Sequence, residues 1–325
     1  MMPRRHPTKT PNVRVTEREN PVSVSLDTKS SREILRIINR EDRRVAPAVK
    51  RVLPQIERAV EIIIPALAKG GRMVYIGAGT SGRLGALDAA ECIPTFGTHQ
   101  VVAVLAGGPK AMFQPVEGAE DSAALGEADL RKLRFGAGDV LVGISASGRT
   151  PYVAGAMRYA RKLKAPVIAL SCNPHGSLNK LADAAIAPMV GPEVLTGSTR
   201  MKAGTAQKLV LTMLSTAAMV RLGRVFSNLM VQVQINNSKL EKRGKAIVAR
   251  ITGASPAVAA RALTKSKGHL PLAIVMILRG VGLQEAEVEL ARSRSAAEAI
   301  RKALKDTAKP AGSLPSRRDT RSSAS

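Results

Sequence analysis

Two turns in this chain carry the residue types that hold a phosphate. The first is Gly77-Ala78-Gly79-Thr80-Ser81-Gly82-Arg83 and the second is Ser145-Ala146-Ser147-Gly148-Arg149-Thr150. Each closes a short apolar run and opens a helical pattern. Glycines such as Gly79 and Gly148 let the backbone approach an anion closely, and N–H groups at a helix start, with Thr80, Ser81, Ser145, Ser147 and Thr150 hydroxyls, can cradle it. The plainer reading of either turn alone is a tight strand-to-helix connection with Ser and Thr as N-caps. Two hydroxyl-rich turns at one sheet edge favour the anion. Neither completes a nucleotide motif: Gly82 comes one residue too early for G-x-G-x-x-G, and the second turn lacks the P-loop lysine. Proton-transfer groups lie nearby. Asp88 and Glu91 follow the first turn, Glu117, Glu120 and Asp121 cluster in VEGAED, and Glu193 precedes another helix start. Two carboxylates in one cleft can divide acid and base roles, although acids in a chain this basic are more often solvated or ion-paired. His6, His99, His175 and His269 show no ligand spacing, and with Cys92 and Cys172 the only cysteines, no metal or other cofactor is expected.

The elements that must position these groups are legible as alternating patterns. Short apolar runs at MVYIGAG, VVAVLAGG, DVLVGISAS, PVIALSC and AAIAPMV read as five buried strands within about residues 72–190. Helical stretches intervene, as in SGRLGALDAAEC and YVAGAMRYARKL, and a long helix is expected from near Ser198. Buried strands alternating with helices predict an α/β fold, a doubly wound parallel sheet flanked by helices, with ligand at the carboxyl ends of the strands. The apolar steps over Ser31–Leu67 predict N-terminal helices, with Pro54 and Pro65 near helix ends or at kinks. The expected organisation is a basic extension at 1–18, a sheet domain with its N-terminal helices at 19–244, a small helical domain at 245–304 and a basic tail at 305–325.

Fifty Lys and Arg against 25 Asp and Glu give the chain of 325 residues a formal charge of +25. The excess is spread over the ends and helical faces. Aromatics make up 2% of the residues and Trp is absent, so the stacking platforms of single-strand binders are missing and nucleic acid is not an expected partner. No apolar run is long enough for a membrane span, and the first residues carry no signal-peptide core. The expected setting is the cytoplasm.

IGAGTSGRLGALDAAECIPTFG, AGGPKAMFQPVEGAEDS, GISASGRTPYVAGAMRYAR and TGSTRMKAGTAQKLVLTMLSTAAMVRLGRVFSNLMV resemble the N-acetylmuramic acid 6-phosphate etherases, bacterial enzymes of the sugar isomerase (SIS) fold. The likeness runs from about Thr16 to about Leu304. The animal glucokinase regulatory protein shares the SIS motifs in a much longer chain with two such domains. The resemblance implies cleavage of the D-lactyl ether of N-acetylmuramic acid 6-phosphate by water, in peptidoglycan recycling. It implies a cytoplasmic homodimer acting on a small amino-sugar phosphate without cofactor, and a C-terminal bundle like ubiquitin-associated domains. The family's two functional glutamates fall on Glu91 and Glu120, and related sugar-phosphate sites put phosphate on the hydroxyls matching Thr80, Ser81, Ser145, Ser147 and Thr150. By the resemblance Glu91 protonates the leaving group, which calls for a raised pKa, and Glu120 is assigned as the base at C2. Gln232 departs from the family, whose members commonly carry Asp there, and the basic ends are not a family feature. Two other readings stand beside this one. An aldose–ketose isomerase on the same fold would use a base such as Glu193 and release no lactate. A sugar-phosphate-sensing regulator would carry an N-terminal helix-turn-helix, where this chain instead runs from its first helices straight into the sheet.

Overall fold

The computed structural model describes residues 15–235 and 237–307. The expected end segments 1–18 and 305–325 lie largely outside these residues. The chain divides into two compact units, Met1–Leu222 and Gly223–Ser325.

In the first unit, α1 (Ser31–Asp42), α2 (Val45–Lys50) and α3 (Leu53–Ala68) precede the sheet. Ser30 and Glu33 close a capping box at the start of α1. Pro54 sits in the first turn of α3, where its missing N–H costs nothing, and Pro65 lies inside its last turns. The five expected strands are all present: β1 (Met73–Gly77), β2 (Val101–Leu105), β3 (Val140–Ser145), β4 (Val167–Ser171) and β5 (Ala184–Ile186). They pair in parallel in the order β2-β1-β3-β4-β5. The order reverses between β1 and β3, which are neighbours with Gly77 opposite Ile144. A doubly wound sheet opens its ligand crevice at such a reversal, and both hydroxyl-rich turns leave the sheet there.

Every residue of β1, β3 and β4 is buried, because helices cover both faces of the sheet. On one face, α4 (Gly79–Phe96) presses on Tyr75 and Ile144 so closely that a Cβ at Gly85 would stand 3.0 Å from Tyr75 Cβ. On the other, α6 (Pro151–Lys162) packs Val153 and Met157 into the space left by Gly143, where a Cβ would lie 2.7 Å from Met157 Sδ. A helix the sequence reading does not anticipate, α5 (Ala123–Lys132), lies against α6. The two approach backbone to backbone: a Cβ at Gly126 would fall 2.0 Å from Tyr152 O, and one at Gly155 would fall 1.9 Å from Ala123 O. The long helix α7 (Lys202–Arg221) starts at Lys202 rather than near Ser198, because the Glu193 carboxylate accepts the free N–H groups of Lys202 (3.0 Å) and Ala203 (2.8 Å).

The second unit holds α8 (Ser238–Thr252), α9 (Pro256–Lys265), α10 (Leu270–Arg279), α11 (Leu283–Ala291) and α12 (Ala296–Thr307) around an aliphatic core that includes Val248, Leu263, Ile274 and Ile300. Val231 and Val233 are buried in the same core. This unit therefore begins at Gly223, upstream of the boundary expected at 244/245, because the segment before α8 belongs to the helical core.

Candidate active site

At the carboxyl edge of β1 and β3 lies a cleft of about 430 Å³. Gly79, Thr80 and Ser81 line it from the first turn, and Ser145, Ser147 and Thr150 from the second. Glu120 lines it from the segment before α5. Gly148 shapes the second turn from beneath. Its φ is +69°, and a Cβ there would meet Gly176 Cα at 2.9 Å.

The second turn gathers three hydroxyls. Ser145 Oγ lies 2.8 Å from Thr150 Oγ1 and 3.3 Å from Ser147 Oγ. The Gly148 and Arg149 N–H groups donate to Ser145 Oγ (3.2 Å) and Ser147 Oγ (3.3 Å). The simple N-cap account does not cover these residues, because Thr150, at the N-cap of α6, makes no capping bond. Ala78 holds the N-cap of α4, so Thr80 and Ser81 fall inside the first helical turn. Ser81 donates to Gln207 Oε1 at 3.1 Å, which ties the first turn to α7, and Gln207 Nε2 is buried without an acceptor. Arg149 also lines the cleft, and its buried Nε has no partner.

The two glutamates do not meet within one chain. Glu91 is exposed and does not line the cleft. It stands twelve residues beyond Gly79 on α4, about 18 Å along the helix axis. Asp88, one turn earlier on α4, accepts from Tyr75 Oη (2.9 Å) and Ser215 Oγ (3.3 Å), and burial pushes its carboxyl above the usual range. Both cysteines are inert thiols: burial, then the charge of Asp88, takes Cys92 up to about 12, and burial, then Glu193, takes Cys172 to about 12.

The sequence reading misses a wall of the cleft formed by Thr16 and Glu17. This segment is held by a buried network. Asn20 Nδ2 donates to Glu41 Oε2 (2.9 Å) and to Pro192 O (3.0 Å), while the ammonium of Lys202, at the start of α7, pairs with the same Glu41 oxygen. Burial pulls the Glu41 carboxyl upward, but hydrogen bonds from Lys202, Asn20 and Arg44 outweigh it and hold the group below its ordinary value. Glu193 is consumed by capping α7, and burial raises its carboxyl against the two N–H groups that lower it. No periodicity marks residues 16–20, and their tie to Glu41 and Lys202 spans much of the chain. The start of the family likeness at about Thr16 was the one available signal. Among the described residues no group of His, Cys, Asp and Glu is set to hold a metal, and no helix is long and apolar enough to cross a membrane.

Comparison with known proteins gives this geometry its context. Residues 55–161 match the family model of the glucokinase regulatory protein N-terminal SIS domain, and residues 125–217 match the SIS domain model. The N-acetylmuramic acid 6-phosphate etherase of Aeromonas hydrophila subsp. hydrophila is 56% identical over 86% of this chain and 94% of its own. This chain belongs to the N-acetylmuramic acid 6-phosphate etherase family. The etherases of Photorhabdus laumondii subsp. laumondii and Klebsiella aerogenes are each 54% identical, over 86% and 90% of this chain and 93% and 97% of theirs. Etherase likeness thus extends through both compact units, well beyond the SIS core that the domain models match.

Proposed function

We propose that this chain cleaves the D-lactyl ether of N-acetylmuramic acid 6-phosphate with water, giving N-acetylglucosamine 6-phosphate and D-lactate. The identity to etherases along nearly their whole length carries this reading. The chemistry fits the cleft. An alkyl ether resists direct hydrolysis, but in the open-chain sugar the C1 aldehyde acidifies the C2 hydrogen, and the lactyl ether leaves from C3. A base takes the C2 proton, an acid protonates the departing lactate oxygen, and an alkene forms between C2 and C3. Water then adds at C3 with the roles reversed. Such a route needs two proton-transfer groups and a phosphate anchor.

Glu120, in the cleft, is the C2 base, and the hydroxyls of Thr80, Ser81, Ser145, Ser147 and Thr150 anchor the phosphate. Glu91 is the leaving-group acid. Because it lies outside the cleft of its own chain, it serves the cleft of a second copy, so the working enzyme is a homodimer. The setting is the cytoplasm and the process peptidoglycan recycling.

The test is incubation of the purified protein with N-acetylmuramic acid 6-phosphate in ¹⁸O-labelled water, with D-lactate measured enzymatically. The expected outcome is D-lactate together with a sugar product carrying ¹⁸O at C3. Isomerised sugar without lactate would overturn the proposal, and label in lactate instead of the sugar would overturn the elimination route.

A further inference from the structure

Both hydroxyl-rich turns contain Ser-Gly-Arg, and the phosphate anchor proposed above rests on hydroxyls and uses neither arginine. They line different parts of the crevice. Arg149 borders the main cleft beside Ser145, Ser147 and Thr150. Arg83 borders a side lobe of about 280 Å³, which Val116, Glu117 and Gly118 also line. Lobe and cleft share Ala78, Gly79, Glu120 and Asp121, so Glu120 stands where they join.

The Arg83 side chain is fixed by one edge only. Its Nε donates to the carbonyls of Ala111 (2.9 Å) and Met112 (3.0 Å). Its two Nη atoms meet no acceptor among the described residues. Glu117, Glu120 and Asp121 line the same lobe, yet none forms an ion pair with it. Those three carboxylates are exposed and solvated, whereas the guanidinium is half-buried. A braced guanidinium with two free donors is a ready fork for a planar anion.

Resting on the etherase activity proposed above, we propose that Arg83 binds the carboxylate of the substrate's lactyl group. That substrate carries two anions, a phosphate on C6 and a carboxylate on the lactyl arm at C3. The crevice offers one guanidinium in each of its two parts. The hydroxyls of both turns take the phosphate, joined by Arg149 in the same cleft. Glu120 must reach C2, the carbon next to C3, so the lactyl arm branches off beside Glu120, where the side lobe opens. Arg83 thereby tells the substrate from its own sugar product, which keeps the phosphate and lacks the lactyl carboxylate. Holding the carboxylate also keeps the leaving oxygen in place while the C2 proton is removed.

The test compares wild type and Arg83→Gln in two measurements: steady-state lactate release from N-acetylmuramic acid 6-phosphate, and the inhibition constant of N-acetylglucosamine 6-phosphate. Losing a charge-assisted pair should raise KM by about 10- to 100-fold. The inhibition constant of the product sugar should stay within about twofold, since that ligand never meets Arg83. Mere loosening of the Ala111–Met112 brace would weaken both ligands alike. An equal loss for both, or an unchanged KM, would therefore overturn the assignment while wild-type lactate release upheld the etherase reading. Absence of lactate release from the wild type would overturn both.

Discussion

Lys202 is completely buried, and its ammonium forms a salt bridge with the carboxylate of Glu41, itself 3% exposed. Replacing it in Lys202→Met keeps the length and apolar bulk of the side chain and removes only the charge. Glu41 is then left in a dry site with Asn20 and Arg44 as its remaining donors. Breaking a buried pair from one side costs about 3–5 kcal/mol, because the surviving charge stays desolvated. For a unit of this size that corresponds to a fall in Tm of about 6–20 °C. The assay is urea unfolding at pH 7 and pH 5, followed by far-ultraviolet circular dichroism. The pH dependence has a definite sign. The wild-type Glu41 carboxyl is depressed, so its stabilisation is present above the unfolded-state pKa of about 4.3 and is lost as pH falls through the folded value. In the variant the depressing ammonium is gone, and protonation of Glu41 relieves its burial. The stability gap between wild type and variant should therefore narrow as the solution is acidified. Lys202→Met combined with Glu41→Gln should recover part of the loss, since position 41 then holds no unpaired charge. A gap below about 1 kcal/mol at pH 7, typical of an exposed pair, would refute the reasoning. So would a gap that widens at pH 5.

Other expectations concern the site and its frame. Glu120→Gln should lower lactate release by about 10²- to 10⁴-fold and suppress exchange of the C2 proton with deuterium oxide, while Glu91→Gln should abolish release but spare part of the exchange; the reverse pattern of exchange would swap the two roles. Mixed dimers of these two inactive variants contain one site with both glutamates intact, so co-expression should restore about a quarter of wild-type activity, whereas no recovery would place Glu91 outside a shared site. Gly148→Ala should raise KM for the sugar phosphate, because its φ of +69° and the 2.9 Å approach to Gly176 force the second turn to shift. Asp139 is pulled upward by burial but held low by hydrogen bonds from Arg72 and Gly136, so its stabilisation should be present above about pH 4 and fade below it; Asp139→Asn should flatten that part of the acid-unfolding curve.

The sheet was legible because each of its strands is a short run of apolar residues covered by helices, and the turns were legible because glycine and hydroxyl residues punctuate those runs. Runs such as VLVGIS and VIALS have little freedom to be anything else once helices flank them. What stayed hidden depends on contacts far apart in sequence. Ser81 meets Gln207 across 126 residues, and Lys202 meets Glu41 across 161. Glu193 was visible as an acid before a helix, but its use as a distant cap for α7 follows only from the fold of the loop between them. Glu17 drew no notice because a segment without hydrophobic periodicity gives no sign of which surface it will cover. Glu91 looked like a neighbour of the first turn in sequence, yet the rise of α4 carries it away from the cleft.

The meeting of α5 and α6 through Gly126 and Gly155 bears on how this chain can change over generations. Just ahead of α5 lies Glu120, and just ahead of α6 lies Thr150. The carbonyl of Glu120 also accepts the N–H of Tyr152, in the first turn of α6, at 3.0 Å. The spacing between the proposed base and the phosphate turn is thus set by two positions that have no side chain. Drift elsewhere on these helices can be absorbed by repacking. At residues 126 and 155 a single methyl group would wedge the helices apart, and the base would move away from the anchor with them. Reaction geometry here is inherited through what is missing from two residues as much as through the carboxylate that does the chemistry.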